Sequence, residues 1–266
     1  METRTIVGTR IHAASCRETV ERVIGWARAG ESRAVCCANV HVVMEARADP
    51  GFAAALGSAD HLAPDGMPLA WALRLLGVPR AERVYGPALM LEVCAAAERE
   101  GIPVALVGST PPTLAALEAA LARRHPALRV AWRQSPPFHE ATEEERAAAR
   151  RAVEASGARI LFVGLGCPRQ ERWMAAERGR LGAVMLGVGA AFDFHAGSKP
   201  QAPAWLGRLG LEWAFRLATE PRRLWRRYLV NNPRFVALFT MQLARGALAR
   251  ARNAGAPPAP TQEAEP

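Results

Sequence analysis

The stretch RILFVGLGCPRQERWMAAERGRLGAVMLGVG, residues 159–189, decides the fold. An unbroken apolar run, ILFV, ends on Gly164-Leu165-Gly166. The polar-apolar segment PRQERWMAAERGR follows, and then a second apolar run closes on Gly187-Val188-Gly189. Apolar runs bounded by glycine read as strands buried on both faces, and the segment between them has the composition of a helix. This is a β-α-β unit, and the same alternation repeats outward from it in both directions.

Upstream, TIVGTRI reads as a first strand. SCRETVERVIGWARA is a helix opened by a capping box, Ser15-x-x-Glu18. RAVCCAN and HLAP are strands, with VHVVMEARAD as helix between them and a further helix over 67–76. PALMLEVCAAAERE, PPTLAALEAALARRH and TEEERAAARRAVEAS read as helices, separated by the strands VALVG and LRVAW. The prediction is an α/β fold with a mostly parallel sheet and helices on both faces. Three parts are expected: a body over 1–197, a basic appendage over 198–252 and a disordered tail over 253–266. Pro200, Pro203, Pro221 and Pro233 are expected to break the appendage into short helices, and the tail AGAPPAPTQEAEP is rich in Pro and Ala.

Charge is distributed unevenly along the chain. The net formal charge is +9, yet residues 1–204 carry 24 basic and 21 acidic side chains, while 205–252 carry ten Arg against Glu212 and Glu220. A basic segment on a nearly neutral body points to an anionic partner. Five cysteines occur with no C-x-x-C spacing, which reads as reduced thiols in a cytoplasmic protein. No signal peptide is evident. The late apolar run FVALFTMQLA has about ten residues where a bilayer span needs roughly 20.

In an open parallel sheet, ligands bind beyond the carboxyl ends of the strands. Those ends here carry Asn39, Asp65-Gly66, Gly108-Ser109, Gly164-Leu165-Gly166 and Gly187-Val188-Gly189. Glycines let backbone N–H groups approach a ligand, and helix N-termini aimed at the same place favour phosphate. One such turn is ordinary; five on one edge point to a nucleotide or sugar-nucleotide. GLGCPR lacks the third glycine of a dinucleotide fingerprint, no Walker motif is present, and no D-x-D pair exists to hold a metal. Asp occurs only at 49, 60, 65 and 193. Asp49 and Asp60 read as turn or cap residues, and Asp193 as a structural group bonding nearby backbone N–H groups. His195 is given no role. Asp65 has two readings: a cap of the helix over 67–76, or a charge held for a substrate.

Four blocks, NVHVVMEARADPGFAAALGSADHLAPDGMPLAWALRLLGVPRAERVYG, ILFVGLGCPRQERW, GVGAAFDFHAG and APAWLGRLGLEWAFRLATEPRRLWRRYLVNNPRF, resemble the WecG/TagA/CpsF glycosyltransferases. They match in order over most of residues 5–236. The resemblance implies a Rossmann-like fold and an inverting, metal-free sugar transfer that needs no cofactor. The implied donor is a UDP-sugar such as UDP-N-acetylmannosamine or its uronic acid. The implied acceptor is a polyprenyl-diphosphate-linked saccharide at the inner face of the cell membrane, and the products feed surface polysaccharides. By matching position, Asp65 is the implied general base, Asn39 positions substrate hydroxyls and Gln170 contacts the donor. Cys37 stands where the family often has Thr, and Ala88 where it often has Asp. The second departure prompts a rival reading as a binding protein without turnover.

The segment FRLATEPRRLWRRYL offers arginines to a departing diphosphate, whose charge must be stabilised. Arg216, Arg223 and Arg226 are the expected contacts, because 223 and 226 share a helical face. Arg222 and Arg227 are then left for lipid headgroups. Trp205, Trp213, Phe215, Trp225, Tyr228, Phe235 and Phe239 in the same segment suit an anionic membrane surface, with about half of them packing on the body. A nucleic-acid-binding reading of this basic, aromatic segment finds no recognisable motif and leaves the strand-end glycines idle. The expectation is therefore a membrane, not nucleic acid. Self-association is left open.

Overall fold

The computed structural model describes residues 2–136 and 142–254. Strands β1 (Thr3–Ile6) and β2 (Thr9–His12) form an antiparallel hairpin. The chain continues through α1 (Cys16–Arg28), β3 (Arg33–Ala38), α2 (Val40–Ala48), α3 (Pro50–Gly57), β4 (His61–Pro64) and α4 (Met67–Leu75). Next come α5 (Gly86–Arg99), β5 (Val104–Gly108), α6 (Pro111–Arg124) and β6 (Val130–Gln134). The last part of the sheet adds α7 (Glu143–Ser156), β7 (Ile160–Gly164), α8 (Arg169–Glu177), β8 (Val184–Gly187) and α9 (Ala191–His195). Beyond it lie α10 (Ala204–Arg208), α11 (Glu212–Thr219), α12 (Pro221–Trp225), a π-helical turn (Arg226–Val230) and α13 (Asn231–Ala254).

Six strands make one parallel sheet in the order β4-β3-β8-β7-β5-β6. Side chains alternate across it, as the period of a strand requires. Ala34, Cys36 and Ala38 of β3 join a core with α2, α3 and α4, while Val35 and Cys37 join a second core with α1, α5 and α6. Continuous apolar strands are thus covered on both faces, as the sequence predicts. After β3 the chain crosses the first face through α2; after β8 it turns to the second through α9, whose Phe192 is buried there. The β3/β8 boundary is therefore the switch point, and the crevice opens above it.

Three elements differ from expectation. TIVGTRI is not one strand of the sheet but a hairpin outside it, turning at Val7-Gly8 with φ of 48° and 88°. Positive φ at both central residues gives the two-residue turn whose twist matches the strands, and Ile6 and Ile11 on either side of it are fully buried. Asp49 caps an unforeseen α3, accepting from the Phe52 N–H at 2.9 Å, with Pro50 at the first helical position. Pro233 does not interrupt the chain: α12, the π-turn and the 24-residue α13 run on without a break. Proline removes an N–H and crowds the carbonyl four residues earlier. Here that carbonyl belongs to Leu229, inside the π-turn, where the wider winding makes room. Residues 253 and 254 close α13, and the rest of the expected tail lies outside the described residues.

Gly108 and Gly164 set the spacing of two strand ends. They are register partners of β5 and β7. A Cβ on Gly108, whose φ is 134°, would stand 2.5 Å from the Gly164 carbonyl; one on Gly164 would stand 2.7 Å from the Phe192 ring. Replacing Gly108 by Ala is therefore expected to lower stability by roughly 2–3 kcal/mol or more, combining overpacking with strain at positive φ. Denaturant unfolding of G108A against the parent chain checks this.

Candidate active site

The crevice above the switch point holds two adjoining hollows of about 590 Å³ and about 730 Å³. Asn39, Asp65, Glu212, Arg216 and Arg227 line both and form the wall between them. The first hollow is completed by Gly66, Met67, Pro68, Trp213 and Tyr228. The second is completed by Gly166, Gln170, Gly187, Gly189, Phe194 and Arg223. Of the strand-end glycines, Gly66, Gly166, Gly187 and Gly189 are in the crevice. Gly108 and Gly164 line neither hollow, because the missing side chains there serve the close contacts described above.

Asp65 follows β4 directly, its N–H donating to the Ala38 carbonyl at 2.7 Å. The two readings of this residue now separate. Gly66, with φ of 106°, takes the cap position of α4 and no side chain caps that helix. The Asp65 carboxylate is left free to face the crevice, lining both hollows. Burial pushes its pKa up to about 7, against the pull of the Arg83, Arg216 and Arg227 guanidinium groups and with a push from Glu212. Arg83 Nε stands 3.8 Å from Asp65 Oδ1, short of a hydrogen bond. A carboxyl with that environment ionises only as pH rises through neutrality, and its ionised form binds a proton more tightly than an ordinary aspartate does.

On the glycine-lined side, Gln170 is buried at the start of α8. Its Nε2 donates to Glu171 Oε1 at 2.7 Å, and its Oε1 has no partner among the described residues. Gly187 makes room for this amide: a Cβ there would meet Gln170 Nε2 at 3.2 Å and the Met174 methyl at 2.8 Å. Asn39 caps α2 by accepting from the Val42 N–H at 3.3 Å, and its Oδ1 also accepts from Arg227 Nη2 at 3.4 Å.

The arginines divide otherwise than expected. Arg216 and Arg223 line the crevice. Arg226 does not: it is exposed, with its guanidinium 5.2 Å from the Trp225 ring centre. Arg227 takes its place, lying over the Tyr228 ring and reaching Asn39. Residues 223 and 227 are also neighbours on a helix surface, and the π-turn beginning at Arg226 carries the wider winding that places 227 inward. The Nε groups of Arg216 and Arg227 are buried without a partner among the described residues, so both cations have hydrogen-bonding capacity to spare.

Comparison with known proteins identifies the family. Residues 4–248 match the profile of the glycosyl transferase WecG/TagA/CpsF family. The chain belongs to that family. A curated relative from Bacillus spizizenii (strain ATCC 23059 / NRRL B-14472 / W23) is 30% identical over 203 residues, covering 76% of each chain. It is an N-acetylglucosaminyldiphosphoundecaprenol N-acetyl-beta-D-mannosaminyltransferase. The chain is thus a glycosyltransferase, consistent with a hexosyltransferase.

In this glycosyltransferase the crevice also holds Arg83 and His41, which carry no signal in the sequence, and Glu212, Arg227 and Trp213, which the sequence assigns to the basic, membrane-facing segment instead. Arg83 lies in the quoted stretch ERVYG, but one Arg among so many carries no signal of its own. Asp193 is structural, although its carboxylate pairs with Lys199 at 2.8 Å rather than with backbone N–H groups. His195 bonds the Pro87 carbonyl at 2.9 Å. Cys37 is buried and lines the second hollow, whereas Ala88 is exposed in the first turn of α5 and lines neither. Among the described residues, no three His, Cys, Asp or Glu side chains come together as metal ligands.

The raised pKa of Asp65 has a signed consequence for stability. Unfolded, the group ionises near 4; folded, near 7. Its contribution is complete below pH 4 and is lost as pH rises toward 7, because the folded state must then give up a proton that it holds tightly. The melting temperature of Asp65→Asn is expected to exceed that of the parent chain by a margin that widens from pH 5 to pH 8. A margin independent of pH in thermal unfolding scans would contradict the burial argument.

Proposed function

We propose that this glycosyltransferase inverts the anomeric centre of a UDP-sugar as it moves that sugar, without a metal, to a polyprenyl-diphosphate-linked saccharide. The sugar is N-acetylmannosamine, its uronic acid or a related hexose. The observation that carries the reading is the half-buried Asp65 carboxylate on the wall shared by two chemically different hollows. Guanidinium groups line both; one adds the glycine backbone at Gly166, Gly187 and Gly189, as a sugar diphosphate needs. The other is lined by Met67, Pro68, Trp213 and Tyr228, a surface suited to a saccharide on a lipid carrier. The name of the Bacillus relative supports the same acceptor class.

In the reaction so read, Asp65 accepts the proton of the acceptor hydroxyl while that oxygen bonds to the anomeric carbon. The bond from that carbon to the diphosphate oxygen breaks on the opposite side, and UDP leaves with the electron pair. Arg216, Arg223 and Arg227 stand where its negative charge grows, and fixed cations in a partly dry crevice stabilise such charge without reorganising. Asn39 orients hydroxyl groups, and the unpartnered Gln170 oxygen accepts a hydrogen bond from the donor.

The C-terminal helices support a peripheral seat at the inner face of the membrane. Tyr228, Phe235 and Phe239 pack inward, whereas Trp205, Trp225, Leu229 and Val236 are exposed, as are Arg222 and Arg226. Exposed aromatics interleaved with Arg suit a helix lying on anionic headgroups. No helix among the described residues is long and apolar enough to cross a membrane.

Asp65→Asn is expected to lower transfer at least about 100-fold, the usual worth of a positioned base. The assay is a panel of UDP-sugars incubated with a short-chain polyprenyl-diphosphate-N-acetylglucosamine, with lipid products read by mass. Retained transfer in D65N removes Asp65 from the chemistry. Co-sedimentation with anionic vesicles is expected to weaken about tenfold or more in the full-length double variant R222E/R226E, at about 1 kcal/mol per basic residue lost near the surface. Equal sedimentation would dismiss the membrane role of these two side chains.

A further inference from the structure

Arg83 is shared between two carboxylates. It projects from the segment between α4 and α5, with its guanidinium 4.2 Å from the centre of the Tyr85 ring. Its Nη2 is ion-paired with Glu212 at the first position of α11. Its Nη1 donates to the Gly207 carbonyl at 3.5 Å, so two of its contacts come from the C-terminal segment. Its Nε is buried without a hydrogen-bond partner among the described residues, and stands 3.8 Å from Asp65 Oδ1. A charge-assisted N–H···O bond is about 2.7–2.9 Å long, so a movement of about 1 Å would join Arg83 to Asp65. Glu212 and Arg83 side chains are each only 16% exposed, which keeps water from weakening the pair that prevents this.

We propose that Glu212 is a positioning residue for the transfer step: with the C-terminal segment docked it holds the Arg83 guanidinium short of Asp65, and without Glu212 that guanidinium closes on Asp65. The inference rests on the reading of Asp65 as base and extends it to a residue 147 positions away in the chain. A carboxylate bonded to a guanidinium has its lone pairs occupied and its negative charge stabilised, and is a weaker base for both reasons. Glu212 thus links docking of the C-terminal segment to the condition of the base, beyond any direct contact of that segment with substrate. The groups that face Asp65 are Cys37 from β3, Arg83 and Tyr85 from the segment before α5, Glu212 and Arg216 from α11, and Arg227 from the π-turn. Glu212 is the one acid among them that pairs with Arg83.

The chain has four aspartates, so full-length protein labelled with ¹³C at the Asp carboxyl carbon gives a four-line spectrum. Asp65→Asn identifies the Asp65 line. Asp65 is expected to titrate near 7, and Asp60, bonded to Arg33 and Arg178, near 2. In Glu212→Gln the Asp65 midpoint is expected to fall by at least about one pH unit as Arg83 closes on it. Glu212→Asp, which keeps the charge, is expected to stay within about half a unit of the parent midpoint. In an Arg83→Gln background, adding E212Q is expected to produce less than about half the fall it produces alone, because the guanidinium that carries the effect is gone.

An unchanged or raised midpoint in folded E212Q overturns the proposal. So does an undiminished fall in the Arg83→Gln background, which would make Glu212 act only by its own charge. Thermal unfolding of each variant verifies folding; should E212Q fail to fold, E212A, which leaves no buried amide, reads the same fall. In the sugar-transfer assay, the acid limb of kcat/KM is expected to follow the midpoint down in E212Q. Plateau kcat should drop roughly threefold or more with little change in donor KM. Carboxyl titrations that behave as stated in a protein transferring no sugar would end the functional reading and leave the Glu212–Arg83 control of Asp65 standing.

Discussion

The site depends on a carboxyl group taken out of water and denied a full partner. Arg83, Arg216 and Arg227 all pull the Asp65 pKa down, yet burial outweighs them. That balance holds only because the nearest cation stops at 3.8 Å. A bonded ion pair in the same place would give a strongly acidic aspartate, useless as a base near neutrality. Its position follows from the backbone on either side. The Asp65 N–H extends the β3–β4 ladder to the Ala38 carbonyl, and Gly66 turns at once into α4 at a φ of 106°. Because glycine occupies the cap position, the carboxylate is not spent on satisfying the helix.

Residues remote in sequence complete this arrangement, and three contacts between the body and the C-terminal helices fall at or beside the crevice. Glu212 holds Arg83, Arg227 reaches Asn39, and Asn231 approaches His41 at 3.5 Å. Farther out, Gln242 of α13 accepts from the Val7 N–H at 2.8 Å and donates to the Thr5 carbonyl at 2.6 Å, clasping the N-terminal hairpin. The hairpin that lies outside the main sheet therefore serves as an anchor for the helix that follows the arginines. Burial of Phe235 and Phe239 in the same core as Ile6 and Ile11 adds an apolar seam to these polar contacts.

Much of the body is legible in the sequence because local signals and tertiary demands agree there. Strands β5, β7 and β8 are apolar runs that end on glycine, and the capping boxes at Ser15 and Thr142 start their helices where the composition says they should. Asp65 stands out because aspartates are scarce and it follows a strand on the glycine-lined edge, whereas Gln170 is reached only through the family resemblance; both line the crevice. The failures have a different origin. Choosing Arg226 over Arg227 depends on the winding of a single turn, and a π-turn has no compositional signature strong enough to predict. Arg83 and Glu212 are legible only as a pair, since neither has a local reason to be where it is. The hairpin is not legible because Val7, a β-branched residue at positive φ, is an improbable turn residue, held there by a buried side chain and the Gln242 bond.

The two halves of the crevice are built on different principles. Around Gln170 the amide and the glycine-lined floor come from the body, and only the guanidinium groups of Arg216, Arg223 and Arg227 reach this half from the C-terminal helices. The amide lies in the gap left by the missing Gly187 side chain, and its Nε2 is committed to Glu171, a carboxyl whose pKa burial raises. Only the oxygen of the Gln170 amide remains to meet a ligand, so this side chain presents one hydrogen-bond polarity and cannot adapt to the other. Around Asp65 the body supplies the carboxyl and one cation, while Glu212, Arg216, Arg227 and Trp213 arrive from helices after residue 200. A fixed half suits the recognition of one donor group. A half completed by a separate segment suits a step that should proceed only when that segment is seated, since its removal would take away the three guanidinium groups of Arg216, Arg223 and Arg227 and free Arg83 together.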